Sequence, residues 1–479
     1  KAPLPLKVRG AVARRKNECR TCSVLNRPLR SSTHRRSGTV AKGRRGDARA
    51  ERARAEGALT DLRRGRKQSG KRRCSSPFFT AIAPPLVESP RVFSAPSAGP
   101  ELRTAAFGRT RRNAYLCISS VRRLHSANAL TSQHMKILIT GASGFVGSFL
   151  VEHGLELGHE VWAALRATSS RRYLTDPRIR FIELNLGDDA TLRRQLSAHG
   201  AAHGAFDCVI HAAGATKAAD LEAFRRTNTA GTLRLARTLR ELDLLRGRFV
   251  FVSSLSVMGP VADPVQRVPA EAYRPIADTD RPAPNTAYGR SKLEAEEALT
   301  GVEGLDYVIL RPTGVYGPRE RDYFLMADSI RKHIDFAVGY RPQRLTFIYV
   351  RDLVDACYAA LSRGERGRAY FLSDGGSYDS REFGRLLQSE MGVHGVLRIT
   401  APEWFLHGVC ALGSLSYKLF GRKGTMPPTL NLDKFRLLRQ RNWLCDIEPA
   451  RRDLGFAPQW TLAAGVKEAV AWYKREGWL

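Results

Sequence analysis

From residue 135 onward, short apolar runs alternate with segments whose apolar residues recur at three- and four-residue intervals. Runs without internal polar positions are the mark of strands buried on both faces, whereas the longer intervals mark one face of a helix. The pattern predicts strands at Lys136–Thr140, Glu160–Leu165, Ile179–Glu183, Cys208–Ala212, Arg248–Ser253 and Asp306–Arg311. It predicts helices at Phe145–Leu157, Asp189–His199, Leu221–Leu239 and Ala287–Leu299. Strict alternation of this kind builds an α/β fold, a doubly wound parallel sheet of the Rossmann type with helices on both faces. Beyond about residue 313 the regularity loosens. Shorter strands at Leu345–Val350 and Ala369–Leu372 mix with helices near Arg351–Ser362, Arg381–Met391 and Leu462–Glu476, which suggests a smaller C-terminal substrate-binding lobe. The expected division is therefore at 312/313, between the regularly alternating part, 135–312, and the smaller lobe, 313–479.

The first 134 residues read differently. They hold 31 Lys+Arg against 7 Asp+Glu, so most of the formal charge of +32 lies there and the body is only mildly basic. Rich in Arg, Ser, Pro and Ala and without periodic apolar runs, this segment is expected to be disordered. A transit peptide, a basic nucleic-acid or membrane tail, and upstream sequence foreign to the mature protein all fit the composition. Met135 directly before the first strand favours the last, and no nucleic-acid partner is expected for the folded body. Cys19 and Cys22 form one CxxC without a second pair nearby, so no metal site is expected, and the scattered Cys208, Cys357, Cys410 and Cys445 suit buried thiols in a reducing, cytoplasmic setting. No run is long enough to span a bilayer. Trp404 to Tyr417, the most apolar stretch, is read as a packed helix of the substrate region rather than a membrane contact.

Chemistry enters at the first strand. Gly141-Ala142-Ser143-Gly144-Phe145-Val146-Gly147 joins Lys136–Thr140 to a helix. Gly141 permits the tight turn, Gly144 allows close approach of a pyrophosphate, and Gly147 lets the helix pack against the strand. The free N–H groups and positive dipole of the helix start then favour an anion. About twenty residues on, where a carboxylate would bind the ribose 2′-hydroxyl of NAD, no acid stands between Glu160 and Asp176, and Arg166 follows the strand end with Arg171 and Arg172 behind it. An arginine there suits the 2′-phosphate of NADP, which is the preferred cofactor, with NAD the alternative.

A second constellation lies downstream. Tyr288 and Lys292, four apart, share one helix face. Phe249–Val252 delivers Ser253 and Ser254 to a strand's carboxyl end, the edge at which ligands bind in open parallel sheets. Strand, serine, tyrosine and lysine in this order resemble the extended short-chain dehydrogenase/reductase family, the group that includes NAD-dependent epimerases and dehydratases. The resemblance covers residues 135–479. It extends to Val209-Ile210-His211-Ala212-Ala213, to Asn228 with Gly231-Thr232, to Leu310-Arg311-Pro312-Thr313-Gly314-Val315-Tyr316-Gly317-Pro318, and to Phe347–Ala356.

The resemblance implies a catalytic set of Ser254, Tyr288 and Lys292. It also implies cofactor contacts from Gly141, Ser143, Gly144, Phe145, Val146 and Gly147, from Arg166, Asn185 and Leu186, from Ala212, Ala213, Gly214 and Asn228, and from Pro312 and Val315. A nearby ammonium and an oxidised nicotinamide are expected to lower the Tyr288 phenol by about 3 pKa units, so that it can pass protons near neutral pH. Arg344 stands one residue early for the diphosphate-binding arginine of sugar-nucleotide enzymes and would face the opposite side of its strand, while Arg319 and Arg321 read as solvated loop charges. The expectation is thus an NAD(P)-dependent oxidoreductase acting on a small, hydrophobic alcohol or carbonyl, similar to the hydroxysteroid dehydrogenase and dihydroflavonol reductase branch. A sugar-nucleotide epimerase or dehydratase with retained NAD, and a non-catalytic nucleotide sensor, are the alternatives. A homodimer is a further expectation from the resemblance.

Overall fold

The computed structural model describes residues 134–266, 268–420 and 431–479. The basic segment through residue 133, including Cys19 and Cys22, lies outside the described residues.

Seven strands, β1 (Lys136–Thr140), β2 (Glu160–Leu165), β3 (Arg180–Glu183), β4 (Cys208–His211), β5 (Phe249–Val252), β6 (Tyr307–Pro312) and β10 (Ala369–Leu372), form one sheet in the order β10-β6-β5-β4-β1-β2-β3. Every pairing is parallel. Because successive side chains alternate across the pleat, Ile137 and Ile139 enter one core and Leu138 the other. The first core is closed by α1 (Phe145–Glu156), by α7 (Val350–Ala359) and by the C-terminal helix α12 (Leu462–Arg475). The second is closed by α2 (Asp189–His203), α4 (Gly231–Glu241) and α5 (Ala287–Thr300). Both faces are covered, which is why the strands read as unbroken apolar runs.

From β1 the chain winds outward first through β2 and β3, then in the other direction through β4, β5 and β6. The strand order therefore reverses between β1 and β4, and the crevice beyond their carboxyl ends is where such sheets bind ligands.

Four departures from the expected elements are informative. The helix expected from Leu221 to Leu239 is split: α3 (Leu221–Phe224) passes through a π-helical turn at Arg225–Ala230 into α4. That wide turn carries Asn228, and π turns are frequently found at functional positions. The chain past residue 313 also returns to the main sheet, supplying β10 and the helix α7 that packs on α1. The rest of that region adds two small parallel sheets, β7 (Gly314–Tyr316) with β9 (Phe347–Tyr349) and β8 (Ile334–Val338) with β11 (Leu397–Ala401). Around them lie α6 (Asp322–Arg331), α8 (Glu382–Met391), α9 (Glu403–Phe420), α10 (Leu432–Arg439) and α11 (Glu448–Leu454). Finally, α9 is not the fully packed helix expected for Trp404–Tyr417, since Leu406 and Cys410 are buried while Trp404, Phe405, Val409, Leu412 and Leu415 are exposed. No helix among the described residues is long and apolar enough to cross a membrane.

Candidate active site

The glycine turn is the tightest part of the site. Gly141 has φ +71°, and a Cβ added there would lie 2.8 Å from the backbone of Ala212 and Ala213. A Cβ on Gly147 would meet the Gly141 carbonyl oxygen at 2.0 Å, so only glycine lets α1 start this close to the strand. The Gly144 N–H donates to the Gly141 carbonyl at 2.9 Å and closes the turn. Gly144 is the N-cap of α1 and brings no capping side chain, and the first turn contains no acid. The N–H groups there have no intrahelical partner, and Ser143, Phe145 and Val146 beside them are half-buried. A cradle without side chains and with free donors fits the pyrophosphate of a dinucleotide.

The other expected cofactor positions lie at neighbouring strand ends. Arg166 is exposed just past β2, with its backbone N–H on the Ser169 hydroxyl at 3.0 Å. Arg171 stacks over the Phe181 ring and Arg172 reaches Glu476, so those two are engaged by the protein. Past β3, Asn185 Oδ1 accepts from the Gly187 N–H at 3.0 Å and shapes the turn, and the Leu186 carbonyl accepts from Arg234. Ala212, Ala213 and Gly214 leave β4 directly beside the glycine turn. Asn228 is fully buried, and its amide is occupied by Ala215 on one side and the Ser291 hydroxyl at 2.9 Å on the other. It is thus a brace joining the β4 loop, the π turn and α5, acting on the cofactor edge through the backbone it holds.

Beneath the same edge, His211 bridges the Thr140 and Thr232 hydroxyls at 2.7 and 2.8 Å. Burial, with a lesser contribution from Lys292, pushes its imidazole down to about 3, so it stays neutral and ties β1, β4 and α4 together.

Ser254, Tyr288 and Lys292 converge. Ser254 caps the single 3₁₀ turn Leu255–Val257 that follows β5, accepting from the Ser256 N–H at 3.2 Å. Its hydroxyl donates to the Ser256 hydroxyl at 3.1 Å and stands near enough to Tyr288 to favour the phenolate. Thr286 caps α5 by accepting from the Gly289 N–H, and a Cβ on Gly289 would meet the Ser256 carbonyl at 2.3 Å, so the helix start is pressed onto the serine turn. One helical turn on, Lys292 Nζ donates to the Val252 carbonyl at 2.8 Å and stands over the Phe251 ring. It lies 3.3 Å from the space a Gly214 Cβ would fill, which brings the lysine to the β4 loop.

Burial lowers the Lys292 ammonium to about 8, partly offset by Glu296. Tyr288 differs from expectation. In the protein alone burial raises its phenol to about 12, the nearby Ser254 hydroxyl only partly opposing this. The lysine is directed at a backbone carbonyl, so most of any lowering has to come from what binds beside the phenol.

A group that the motif reading did not single out supports this set. Glu296, one turn beyond Lys292, accepts three hydrogen bonds from Arg311 on β6, the shortest at 2.6 Å, and one from Ser253. Tyr288, Lys292 and Glu296 recur every four residues on one helix face, a spacing that marks Glu296 in the sequence. Pro312 is buried at the end of β6, Thr313 bonds the Thr346 carbonyl at 2.9 Å, and Val315 is half-buried on β7. Arg344 pairs with Glu271 of the loop after β5 at 2.6 Å.

Arg319 is not a solvated loop charge: with φ +73°, it donates to Ser148 and Glu152 of α1 and covers the Phe149 ring. Cys208, Cys357 and Cys410 are buried and Cys445 half-buried, all free, with burial raising each thiol.

Comparison with known proteins gives the family. The family model for the NAD dependent epimerase/dehydratase family matches residues 137–372. The chain is 32% identical over 270 residues to GDP-6-deoxy-D-mannose reductase of Pseudomonas aeruginosa, covering 53% of this chain and 79% of that protein. It is 28% identical over 375 residues to a 3 beta-hydroxysteroid dehydrogenase/Delta 5-->4-isomerase of Mycobacterium tuberculosis, covering 74% and 94%. UDP-glucose 4-epimerase of Thermotoga maritima, solved with UDP-glucose, shares the fold with a TM-score of 0.56 at 22% identity, over 71% of this chain and 99% of that one. The chain belongs to the NAD dependent epimerase/dehydratase family and is an NAD(P)-dependent oxidoreductase/epimerase of the extended short-chain dehydrogenase/reductase type.

Proposed function

We propose that this enzyme is an NADP-preferring reductase or dehydrogenase of a small hydrophobic alcohol or carbonyl compound, with Tyr288 as general acid/base. The observation that carries the reading is the convergence of Ser254, Tyr288 and Lys292 at the sheet edge beside the glycine turn. When bound, the nicotinamide supplies or accepts a hydride at C4. For a carbonyl substrate, Tyr288 gives its hydroxyl proton to the oxygen of the reducing carbon; for an alcohol it takes that proton. Ser254 orients the same oxygen by a hydrogen bond. Lys292 holds positive charge near the phenol and lowers the cost of the phenolate. The glycine turn and the loop Ala212–Gly214 hold the cofactor, Asn228 acting behind that loop, while Asn185, Leu186, Pro312 and Val315 border it. The division at 312/313 into dinucleotide- and substrate-binding parts belongs to the same proposal.

Arg166, exposed where a 2′-phosphate would lie, supports NADP over NAD. The hydrophobic substrate is supported by likeness to the hydroxysteroid dehydrogenase, and by Arg344 being paired with Glu271. We also infer a homodimer, read by light scattering, and a cytoplasmic, reducing setting suited to the free thiols. The second reading, a sugar-nucleotide epimerase or dehydratase with retained NAD, is favoured by the 28% identity over 346 residues to UDP-glucose 4-epimerase of Vibrio cholerae.

Mass spectrometry of nucleotide released from the purified, denatured protein separates the two, together with NADPH and NADH titrations. Empty protein that binds NADPH at least about tenfold tighter than NADH, a difference of about 1.4 kcal/mol, supports the exchanging reductase. Stoichiometric NAD carried through purification supports the second reading.

A further inference from the structure

The outer face of α9 has no partner within the described protein. Leu406 and Cys410 turn inward against Val338 and Phe435, and the Ser414 hydroxyl accepts from the Leu432 N–H of α10 at 3.1 Å. On the opposite side Trp404, Phe405, Val409, Leu412, Leu415 and Leu419 form one stripe, with Trp404 76%, Leu412 68% and Leu419 64% exposed. At 100° per residue these six fall within less than half the circumference, so the stripe is continuous along the helix. Contiguous exposed apolar surface of this kind is uncommon on monomers and marks an interaction site.

The apolar surface continues past the helix. Leu406 covers Val338 at the end of β8, but Ile334 and Phe336, four and two residues earlier on the same face, are exposed. So are their register partners Leu397 and Ile399 on β11.

We infer that this face docks the enzyme on the surface of an anionic lipid bilayer, with α9 lying in the plane of the interface. Two features select a lipid surface. Residues 397–441 contain eight Lys or Arg; Arg398, Lys434, Arg436 and Arg439 pair with Asp335, Asp322, Asp433 and Glu403, and the remaining four leave the sequence around the apolar stripe with an excess of positive charge. Aromatic anchors with neighbouring basic residues are the pattern by which interfacial helices hold acyl chains and anionic headgroups together. A second copy would have to bring the same basic segment against itself, because a two-fold contact joins identical patches, and like charges so placed repel.

The helix cannot act as a span. Its eighteen residues reach about 27 Å, but the inward face is bound to α10 and β8, which leaves only one side for lipid. This docking goes beyond the proposed reaction and does not depend on it.

Trp404 provides the test, because no tryptophan precedes Trp162 and the basic N-terminal segment therefore contributes no signal of its own. The full chain is mixed with vesicles of phosphatidylcholine brominated on its acyl chains and containing a minority of phosphatidylglycerol, and tryptophan quenching is read. The expected result is quenching that Trp404→Phe removes, and that Leu412→Glu with Leu415→Glu weakens at least about tenfold in lipid concentration without lowering Tm. The milder pair Leu412→Ser with Leu419→Ser gives the same direction if the glutamates impair folding. No quenching of the wild type overturns the proposal and means that the face is covered by another part of the chain. Unchanged quenching in the variants also overturns it, as does a wild-type dimer that the variants convert to monomer without lipid binding.

Discussion

Lys292 donates to the Val252 carbonyl at 2.8 Å, so the lysine of α5 is anchored to the last residue of the strand that delivers Ser254. The bond fixes the ammonium where it is 4% exposed, and burial holds its pKa near 8. The proposed catalytic position and a desolvated charge are thus the same feature.

The charge has a measurable cost. Lys292 titrates near 8 folded and near 10.5 unfolded, so between those values the unfolded chain binds more protons and stability rises with pH. Below pH 8 the full cost is present, on the order of 3 kcal/mol before the Val252 hydrogen bond offsets it. Lys292→Met should therefore abolish turnover while losing little stability at pH 7. Its stability relative to wild type should fall as pH rises from 8 to 10.5, read by urea denaturation at several pH values.

Tyr288 gives the opposite slope. Its phenol is raised to about 12, so between pH 10 and 12 the folded protein retains a proton the unfolded chain has lost, and stability falls with rising pH. Tyr288→Phe should remove that loss, seen as a shallower decline of the denaturation midpoint across the same window.

Glu296 and Arg311 form a buried pair, and removing one partner leaves the other uncompensated. Glu296→Ala should cost about 3–5 kcal/mol, and adding Arg311→Met should recover more than half of it. A double-mutant cycle measured by chemical denaturation checks this, and additive effects would refute the coupling.

Gly147→Ala places a Cβ 2.0 Å from the Gly141 carbonyl oxygen, a backbone contact that no rotamer relieves. The expected result is destabilisation of about 1–3 kcal/mol and at least tenfold weaker NAD(P)H binding by fluorescence titration.

Arg166→Ala should weaken NADPH at least about tenfold and leave NADH within twofold, because the 2′-phosphate is the only group the arginine is assigned to bind. Equal weakening of both cofactors in titration would take Arg166 out of that role.

The six strands before residue 313 were legible because a doubly covered parallel sheet forces unbroken apolar runs, and β1 and β2 match their expected bounds exactly as Lys136–Thr140 and Glu160–Leu165. β7, β8 and β11 were not, since strands of three to five residues in two-stranded sheets have one partner and carry mixed patterns such as Leu397-Arg398-Ile399-Thr400-Ala401. The glycine turn, Tyr288 and Lys292 were readable from spacing. The role of Asn228 as a brace was not, because its partners Ala215 and Ser291 lie 13 and 63 residues away. Arg319 was misread as solvated because its partners on α1 lie 171 and 167 residues earlier in the chain. The raised phenol of Tyr288 depends on burial, which the four-residue spacing to Lys292 does not encode.

The most direct test of the central claim is turnover of Tyr288→Phe beside wild type, with NADP reduction followed over a panel of hydrophobic alcohols and cofactor affinity measured on the same samples. The account predicts a loss of at least about a hundredfold in kcat with cofactor affinity within twofold. Turnover retained by the variant would contradict Tyr288 as the group that moves the proton.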